Sequence, residues 1–186
     1  LEFYRQLVLD SIGPAQKNSL FRRVIEKNGL VIDVGPGGGF PLLPLAKIFP
    51  KVRFLGVEGK KKKVEGIKAL ISHLKLMNVS CHHIRMEELL IDRPSVLTFK
   101  AVGPVENLLP KINCIREVHA FFYKGPKFFE KEDLSKIKKN WRELPIIPYQ
   151  IPNAEGRILV GFKRNGVSNG KLPKDSGKFI KISELL

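Results

Sequence analysis

Val31-Ile32-Asp33-Val34-Gly35-Pro36-Gly37-Gly38-Gly39-Phe40-Pro41 is the stretch that decides how this chain folds. An apolar run closes on Asp33, a glycine-dense turn follows, and Leu42-Leu43-Pro44-Leu45-Ala46 resumes at helical spacing. Strand, turn and helix in that order form the first crossover of a nucleotide-binding α/β sheet. Glycines at 35, 37 and 39 permit positive φ and leave bare backbone against which a ligand can press. A strand-to-helix turn without a ligand needs fewer glycines than the four found between Gly35 and Gly39.

Outward from that turn the pattern alternates. Leu30–Val34 reads as the first strand and Pro41–Phe49 as the first crossover helix, with Pro41 near its start, where a missing N–H costs nothing. Val52–Val57 is near-continuously apolar, as a strand buried on both faces should be, and it runs into Glu58-Gly59. Lys60–Leu76 carries Val64, Ile67, Leu70, Ile71 and Leu74 at helical spacing. Further strands are expected at Val79–Ile84, Val96–Phe99 and Val118–Tyr123, with helices at Pro104–Ile112 and Lys127–Lys139. Glu143–Ile151 and Arg157–Lys163 flank Pro152-Asn153-Ala154-Glu155-Gly156, the mark of an antiparallel hairpin. Before the first strand, residues 1–28 read as helical, interrupted at Gly13-Pro14 and stopped at Asn28-Gly29. The sum is an α/β fold: a mostly parallel seven-stranded sheet with helices on both faces and one antiparallel strand. The expected divisions are an N-terminal helical segment over 1–28, the main domain over 29–164 and a flexible basic tail over 165–186.

The charge balance narrows the partner. Thirty-three basic against 18 acidic residues leave +15, and the pI is near 9.9. Such a one-signed excess fits a polyanion, foremost nucleic acid. Lys60-Lys61-Lys62-Lys63 sharpens this, because four cations at a helix N-terminus oppose the helix dipole and need a reason beyond local stability. Lys127, Lys131, Lys136, Lys138, Lys139 and Arg142 extend the basic surface; Phe128-Phe129 can supply stacking to RNA bases, against which stands the reading that at least one of them belongs to the core. Arg22 and Arg23 suit either a solvated face or an anion-binding rim. Cys81 and Cys114 lack CxxC spacing and read as buried thiols of a reducing compartment. No run reaches membrane-spanning length and no signal-peptide pattern opens the chain, so a cytoplasmic location is expected. The chain opens at Leu1 rather than Met, and part of the natural N-terminus is expected to lie beyond it.

Which nucleotide the turn holds follows from its spacing. A dinucleotide fingerprint needs a glycine where Phe40 stands. A P-loop needs Gly-Lys-Ser/Thr, which is absent. The G-x-G-x-G turn after Asp33 therefore favours S-adenosylmethionine, with Gly35, Gly37 and Phe40 at the turn. Glu58 closes the second strand, where a carboxylate can accept both ribose hydroxyls; alone it would equally suit a surface strand end. Glu87 can accept from an adenine amino group with Met86 beside the ring. It also suits a helix-capping acid, a role open to Glu88. Lys100 and Lys124 end the fourth and fifth strands at the carboxyl edge, where ligands bind in open sheets. Lys100 is expected on the cofactor side and Lys124 at an RNA phosphate; the plain alternative is that each ends its strand in solvent. His82 and His83 lack metal-ligand companions, and no metal is expected.

Asp33-Val34-Gly35-Pro36-Gly37-Gly38-Gly39-Phe40-Pro41-Leu42-Leu43-Pro44-Leu45-Ala46 resembles the D-V-G-x-G-x-G-[FL]-P-G-[IL]-P-L-A stretch of the RsmG (GidB) family, whose members methylate N7 of a guanine in bacterial small-subunit (16S) ribosomal RNA. Leu9-Asp10-Ser11-Ile12, Gly59-Lys60-Lys61, Arg85-Met86-Glu87-Glu88, Lys124-Gly125 and Arg157-Ile158-Leu159-Val160 resemble further family motifs, so the likeness runs from about residue 5 to 164. It implies a Rossmann-like methyltransferase fold, S-adenosylmethionine as cofactor, and ribosomal RNA or a ribosomal particle as partner; a monomer is expected. The chain departs from the family pattern at Gln6-Leu7, where Arg-His is usual. Phe99-Lys100-Ala101 stands for Ser-Arg-Ala, and Glu155-Gly156-Arg157 for Gly-Glu-Arg. Lys at 100 keeps the charge but loses the planar fork of Arg. Guanine N7 already offers a lone pair, so no general base is required, in keeping with the lack of a Ser-His-Asp or Cys-His arrangement. Two other readings stay open from sequence: a ribosome-associated RNA-binding protein that has lost activity, and a nicotinamide-dependent oxidoreductase, which Phe40 and the basic charge oppose.

Overall fold

The central strand β1 (Leu30–Val34) is buried along its whole length, because it has parallel neighbours on both sides. β2 (Arg53–Val57) pairs with it from Leu30↔Arg53 to Val34↔Val57, and β5 (Ser95–Lys100) from Val31↔Val96 to Val34↔Phe99. β3 (Val79–His82) extends the sheet beyond β2, and β7 (Val118–Lys124) extends it beyond β5. β10 (Arg157–Arg164) then runs antiparallel to β7. The computed structural model describes residues 2–137, 140–166 and 179–186, with nothing said of the Lys136 side chain.

The sheet has eight strands in the order β3-β2-β1-β5-β7-β10-β8, where β8 is Arg142–Glu143, and β9 (Ile147–Tyr149) also pairs with β10. The expected strand Glu143–Ile151 is divided into β8 and β9. Leu144 N–H bonds Gly161 O, whereas Leu159 pairs with Ile147, so Pro145 and Ile146 together oppose Val160. This is a bulge at an edge, where a proline without an N–H is tolerated.

Period-2 alternation sorts the strand residues between two cores. Val31, Phe54, Val96 and Phe121 face one side, packed with Phe21, Leu42, Leu45 and Ile67 from α2 (Leu20–Asn28), α3 (Leu42–Ile48) and α4 (Lys61–His73). Ile32, Leu55, Leu97 and Phe122 face the other. Its cover includes α5 (Val105–Leu108) and a small parallel sheet, β11-β4-β6, formed by Ile180–Lys181, Leu89–Ile91 and Asn113–Cys114. The expected tail therefore ends in a docked strand, with Ile182 fully buried behind it. Residues 167–178 lie outside the described ones.

Three expected helices are shorter for local reasons. α5 gives way to a 3₁₀ turn at Leu109–Lys111, since Pro110 has no N–H for a further helical bond. The helix expected over Lys127–Lys139 is only α6 (Phe128–Lys131). A separate 3₁₀ turn at Leu134–Lys136 follows, capped by Asp133 Oδ1 on Ser135 N–H at 2.9 Å. α4 stops at His73, and of the expected apolar stripe Leu70, within it, and Leu74, just past it, are exposed. At the N-terminus, α1 (Glu2–Ile12) packs on α3 and is followed by a 3₁₀ turn over Gly13–Ala15. No helix of the described residues is long and apolar enough to cross a membrane.

Candidate active site

The site forms at the carboxyl edge of the parallel strands, and the turn after β1 is its first wall. Gly35 N–H bonds Val57 O at 2.9 Å, prolonging the β1–β2 ladder into the turn. Gly35, Gly37 and Gly39 all take positive φ. The two later glycines serve different ends. A Cβ at Gly37 would meet nothing nearer than Gly35 O at 3.9 Å, so this backbone lies open to a ligand. A Cβ at Gly39 would fall 2.6 Å from Leu43 Cδ1, so this glycine lets α3 close onto the turn. The second duty is that of the last glycine in a dinucleotide fingerprint, here met one residue earlier. Phe40 at the sixth place donates its N–H to Pro36 O at 3.0 Å and lays its ring toward Gly38. Gly56 in β2 also makes room: a Cβ there would sit 2.7 Å from Leu42 Cδ2.

Asp33 fastens the turn from beneath. Its buried carboxylate accepts Leu42 N–H at 3.1 Å through Oδ2 and the Thr98 hydroxyl at 2.7 Å through Oδ1. Burial pushes the carboxyl up to about 7, against the two hydrogen bonds and the Lys100 charge, which pull it down. Asp33 is thus committed to the protein and holds the start of α3 against β1 and β5.

Glu58 is 7% exposed at the end of β2. One oxygen, Oε1, accepts Lys60 N–H at 3.0 Å; the other has no protein partner among the described residues. A nearly buried carboxylate with spare acceptor capacity beside an open glycine backbone fits an adenosine ligand. Met86 is buried in the core beneath the same edge, in a 3₁₀ turn over Met86–Glu88. The choice between its two acids is resolved. Glu88 Oε2 caps the turn on Arg85 N–H at 2.8 Å, while Glu87 is half exposed and pairs with Lys111 at 3.0 Å. Its own backbone N–H, then Lys111, hold the Glu87 carboxyl below the usual range. His82 meets Ser80 Oγ and His83 meets Gly59 O.

Beyond β5 the edge opens into a cavity of about 440 Å³, lined by Lys100, Tyr123, Lys124, Phe128, Glu155 and Arg157 among others. Neither strand-ending lysine stands free in solvent. Lys100 Nζ lies 3.0 Å from Asp10 Oδ2, and both side chains are largely buried. Lys124 Nζ donates to Gly103 O and pairs closely with Glu132, whose other oxygen accepts Val105 N–H at 2.6 Å. The plain alternative, a strand end in solvent, is not what the fold gives them: each lysine is supplied with a carboxylate. Between them, Ala101 takes φ +57, and Val102 would lie 3.3 Å from a Cβ on Gly35. The loop after β5 thus touches both the glycine turn and the cavity.

Asp10 is the principal residue that pattern reading passed over. Besides Lys100 it accepts the Tyr149 hydroxyl at 2.8 Å, while Ser11 O accepts the Tyr123 hydroxyl at 2.8 Å. The Leu9-Asp10-Ser11-Ile12 motif is therefore the clamp by which α1 joins the cavity rim. Thr98 was detectable as the one polar residue in the expected strand Val96–Phe99. Of the basic surface, Lys60 to Lys63, Lys127 and Lys131 are exposed, Phe128 is buried, and Phe129 is 55% exposed. Lys138 and Lys139 lie outside the described residues. Arg22 bonds Glu26 and Ala15 O and is not a free rim residue.

Strand order, glycine turn and the acid at the end of β2 together define a Rossmann-like S-adenosylmethionine-dependent methyltransferase. In fold the chain is similar to an S-adenosylmethionine-dependent methyltransferase from Aquifex aeolicus. The TM-score is 0.58 at 17% identity, covering 84% of this chain and 92% of that one. The chain belongs to the GidB family, rRNA small subunit methyltransferase G, whose family model matches residues 1–160. It is 29% identical over 184 residues to the ribosomal RNA small subunit methyltransferase G of Petrotoga mobilis, covering 94% of this chain and 80% of that protein. It is 30% identical over 161 residues to the same-named protein of Pseudothermotoga lettingae, covering 82% and 71%.

Proposed function

We propose that this protein transfers the methyl group of S-adenosylmethionine to N7 of a guanine in small-subunit (16S) ribosomal RNA. The observation that carries the reading is the loop Lys100–Gly103, which joins an open glycine cradle to a basic cavity on one sheet edge. The backbone of Gly35 and Gly37, with Phe40, would hold the methyl donor. Glu58 would take its ribose hydroxyls, Met86 and Glu87 would flank its adenine, and Lys100 would stand on the cofactor side of the cavity.

When bound, S-adenosylmethionine supplies an electrophilic methyl, which guanine N7 accepts on its own lone pair. The work left to the protein is alignment and exclusion of water. Asp33 and Thr98 keep the cradle rigid; Asp10 and Lys100 keep the rim in place. Lys124 serves an RNA phosphate by exchanging its Glu132 partner for it. The exposed lysines at the start of α4 add attraction without sequence preference. The protein acts in the cytoplasm as a monomer in this reading.

Calorimetry with S-adenosylmethionine and, separately, a nicotinamide dinucleotide tests the cofactor: binding of the first alone is expected. Transfer of labelled methyl to small subunits lacking the modification, mapped to the base, tests the reaction. Cofactor-independent RNA binding without transfer would favour the other reading, a binding protein, to which the Lys at position 100 lends weight.

A further inference from the structure

We infer that Glu155 is the residue that selects guanine, by accepting N1–H and the N2 amino group on the base's Watson–Crick edge. The inference rests on the methyltransferase reading and deepens it.

Three carboxylates line the cavity: Asp10, Glu132 and Glu155. Two are spent on the protein. Asp10 holds Lys100 with one oxygen and Tyr149 with the other. Glu132 holds Lys124 and the N–H of Val105. Glu155 is exposed, and its carboxylate has no hydrogen bond or ion pair among the described residues. Its main chain, by contrast, is held: Arg157 Nη1 donates to Glu155 O at 3.2 Å. Among the described residues, the cavity thus keeps one carboxylate with all its acceptor capacity, on a turn anchored at its base.

A carboxylate is acceptor-only and presents two oxygens side by side. Guanine is the base whose Watson–Crick edge offers two adjacent donors, N1–H and the N2 amino group. Adenine and cytosine each offer a single amino group beside an acceptor, which would face the carboxylate charge. The volume near 440 Å³ lies in the range of small-ligand pockets.

Strand order supplies the orientation. The glycine cradle follows β1 and Glu155 precedes β10, with β5 and β7, whose ends line the cavity, between them. A guanine held there by Glu155 at its N1–N2 edge turns its opposite, imidazole side toward β1. That side carries N7. Selection of the base and presentation of its reacting atom would then be one act.

The test uses a small-subunit ribosomal RNA fragment containing the mapped guanine, and the same fragment with inosine there, which keeps N7 and N1–H but lacks the N2 amino group. Methyl-transfer kcat/KM and cofactor-free binding are measured for the unsubstituted protein and for Glu155→Gln. The unsubstituted protein is expected to prefer guanine by about 10- to 100-fold, the loss that follows from one unmade hydrogen bond to a charged group. Glu155→Gln is expected to narrow that preference to within about threefold while binding S-adenosylmethionine as before. Equal use of the two fragments by the unsubstituted protein would overturn the inference, as would a preference that survives in Glu155→Gln. If transfer is absent from both fragments yet guanine is still bound better through Glu155, base selection stands and the methyltransferase reading falls.

Discussion

Thr98 donates its hydroxyl to Asp33 at 2.7 Å, joining two adjacent strands beneath the glycine turn. The bond is fully buried, and it stands where β1 and β5 deliver their ends to the site. It gives the acid before the glycine turn a role within the protein, holding two strands together.

Removing that hydroxyl leaves a buried carboxylate short of a partner. Thr98→Val, nearly isosteric, is expected to cost about 1–3 kcal/mol in urea unfolding. A pH effect of definite sign accompanies it. Burial raises the Asp33 pKa from 3.8 to about 7, so the folded state binds this proton more tightly than the unfolded chain. The stability so conferred is present in full below about pH 4 and lost as pH climbs toward 7. Asp33→Asn keeps an acceptor for Leu42 and a donor for Thr98 without titrating. The stability of the unsubstituted protein relative to Asp33→Asn is therefore expected to fall between pH 4 and 7. A difference that stays constant with pH would falsify this account.

Asp10 couples α1 to the rim through Lys100 and Tyr149. Asp10→Ala leaves the Lys100 ammonium largely buried without its counter-charge, and about 1–3 kcal/mol of destabilisation is expected. Hydrogen exchange should quicken in α1 more than in β1. Tyr149→Phe loses only the neutral donor and should cost less, about 1 kcal/mol. A double-mutant cycle of Asp10 and Lys100 that returns no coupling would show that the ion pair contributes nothing.

The two later glycines of the turn separate ligand binding from folding. Gly37→Ala adds a methyl to open backbone at φ +58, with strain of roughly 1–2 kcal/mol. Its main effect should be a loss of S-adenosylmethionine affinity of about tenfold or more by calorimetry. Gly39→Ala drives a methyl into Leu43 at 2.6 Å and should chiefly lower the melting temperature. The reverse pattern would mean that the cradle is placed at the wrong glycine.

Lys60, Lys61, Lys62 and Lys63 begin α4 with no acid in its first turn and no side-chain cap. Neutralising them should improve the helix slightly by relieving the dipole. RNA affinity should fall, and the slope of log K against log salt should flatten by about one for each phosphate contact removed. An unchanged slope in a Lys60–Lys63→Ala variant, measured by fluorescence anisotropy, would place the RNA elsewhere.

What the sequence by itself determined lies where the signal is local. Near-continuous apolar runs marked β1, β2, β5 and β7, the glycines marked the turn, and Glu58 stood out at the end of a strand. These patterns arise within a few residues, from burial of both strand faces and from allowed φ. Short-range competition was harder to read. Pro110, Pro145 and the Asp133 cap each broke an element that the apolar pattern prolonged, because one missing N–H or one side-chain bond outweighs weak periodicity.

Only the tertiary structure decided how charge is spent. Lys100 and Lys124 end their strands alike in sequence, but one is matched by Asp10 and the other by Glu132. Glu87 and Glu88 are adjacent acids, yet one meets a distant lysine and the other caps its own turn. Asp10 reaches Tyr149 across 139 residues of chain. Ion pairs and hydrogen bonds form wherever folding brings groups within about 3 Å, and that proximity leaves no periodic trace in the chain. Among the described residues, the same pairing leaves the Glu155 carboxylate without a partner at the rim of the cavity.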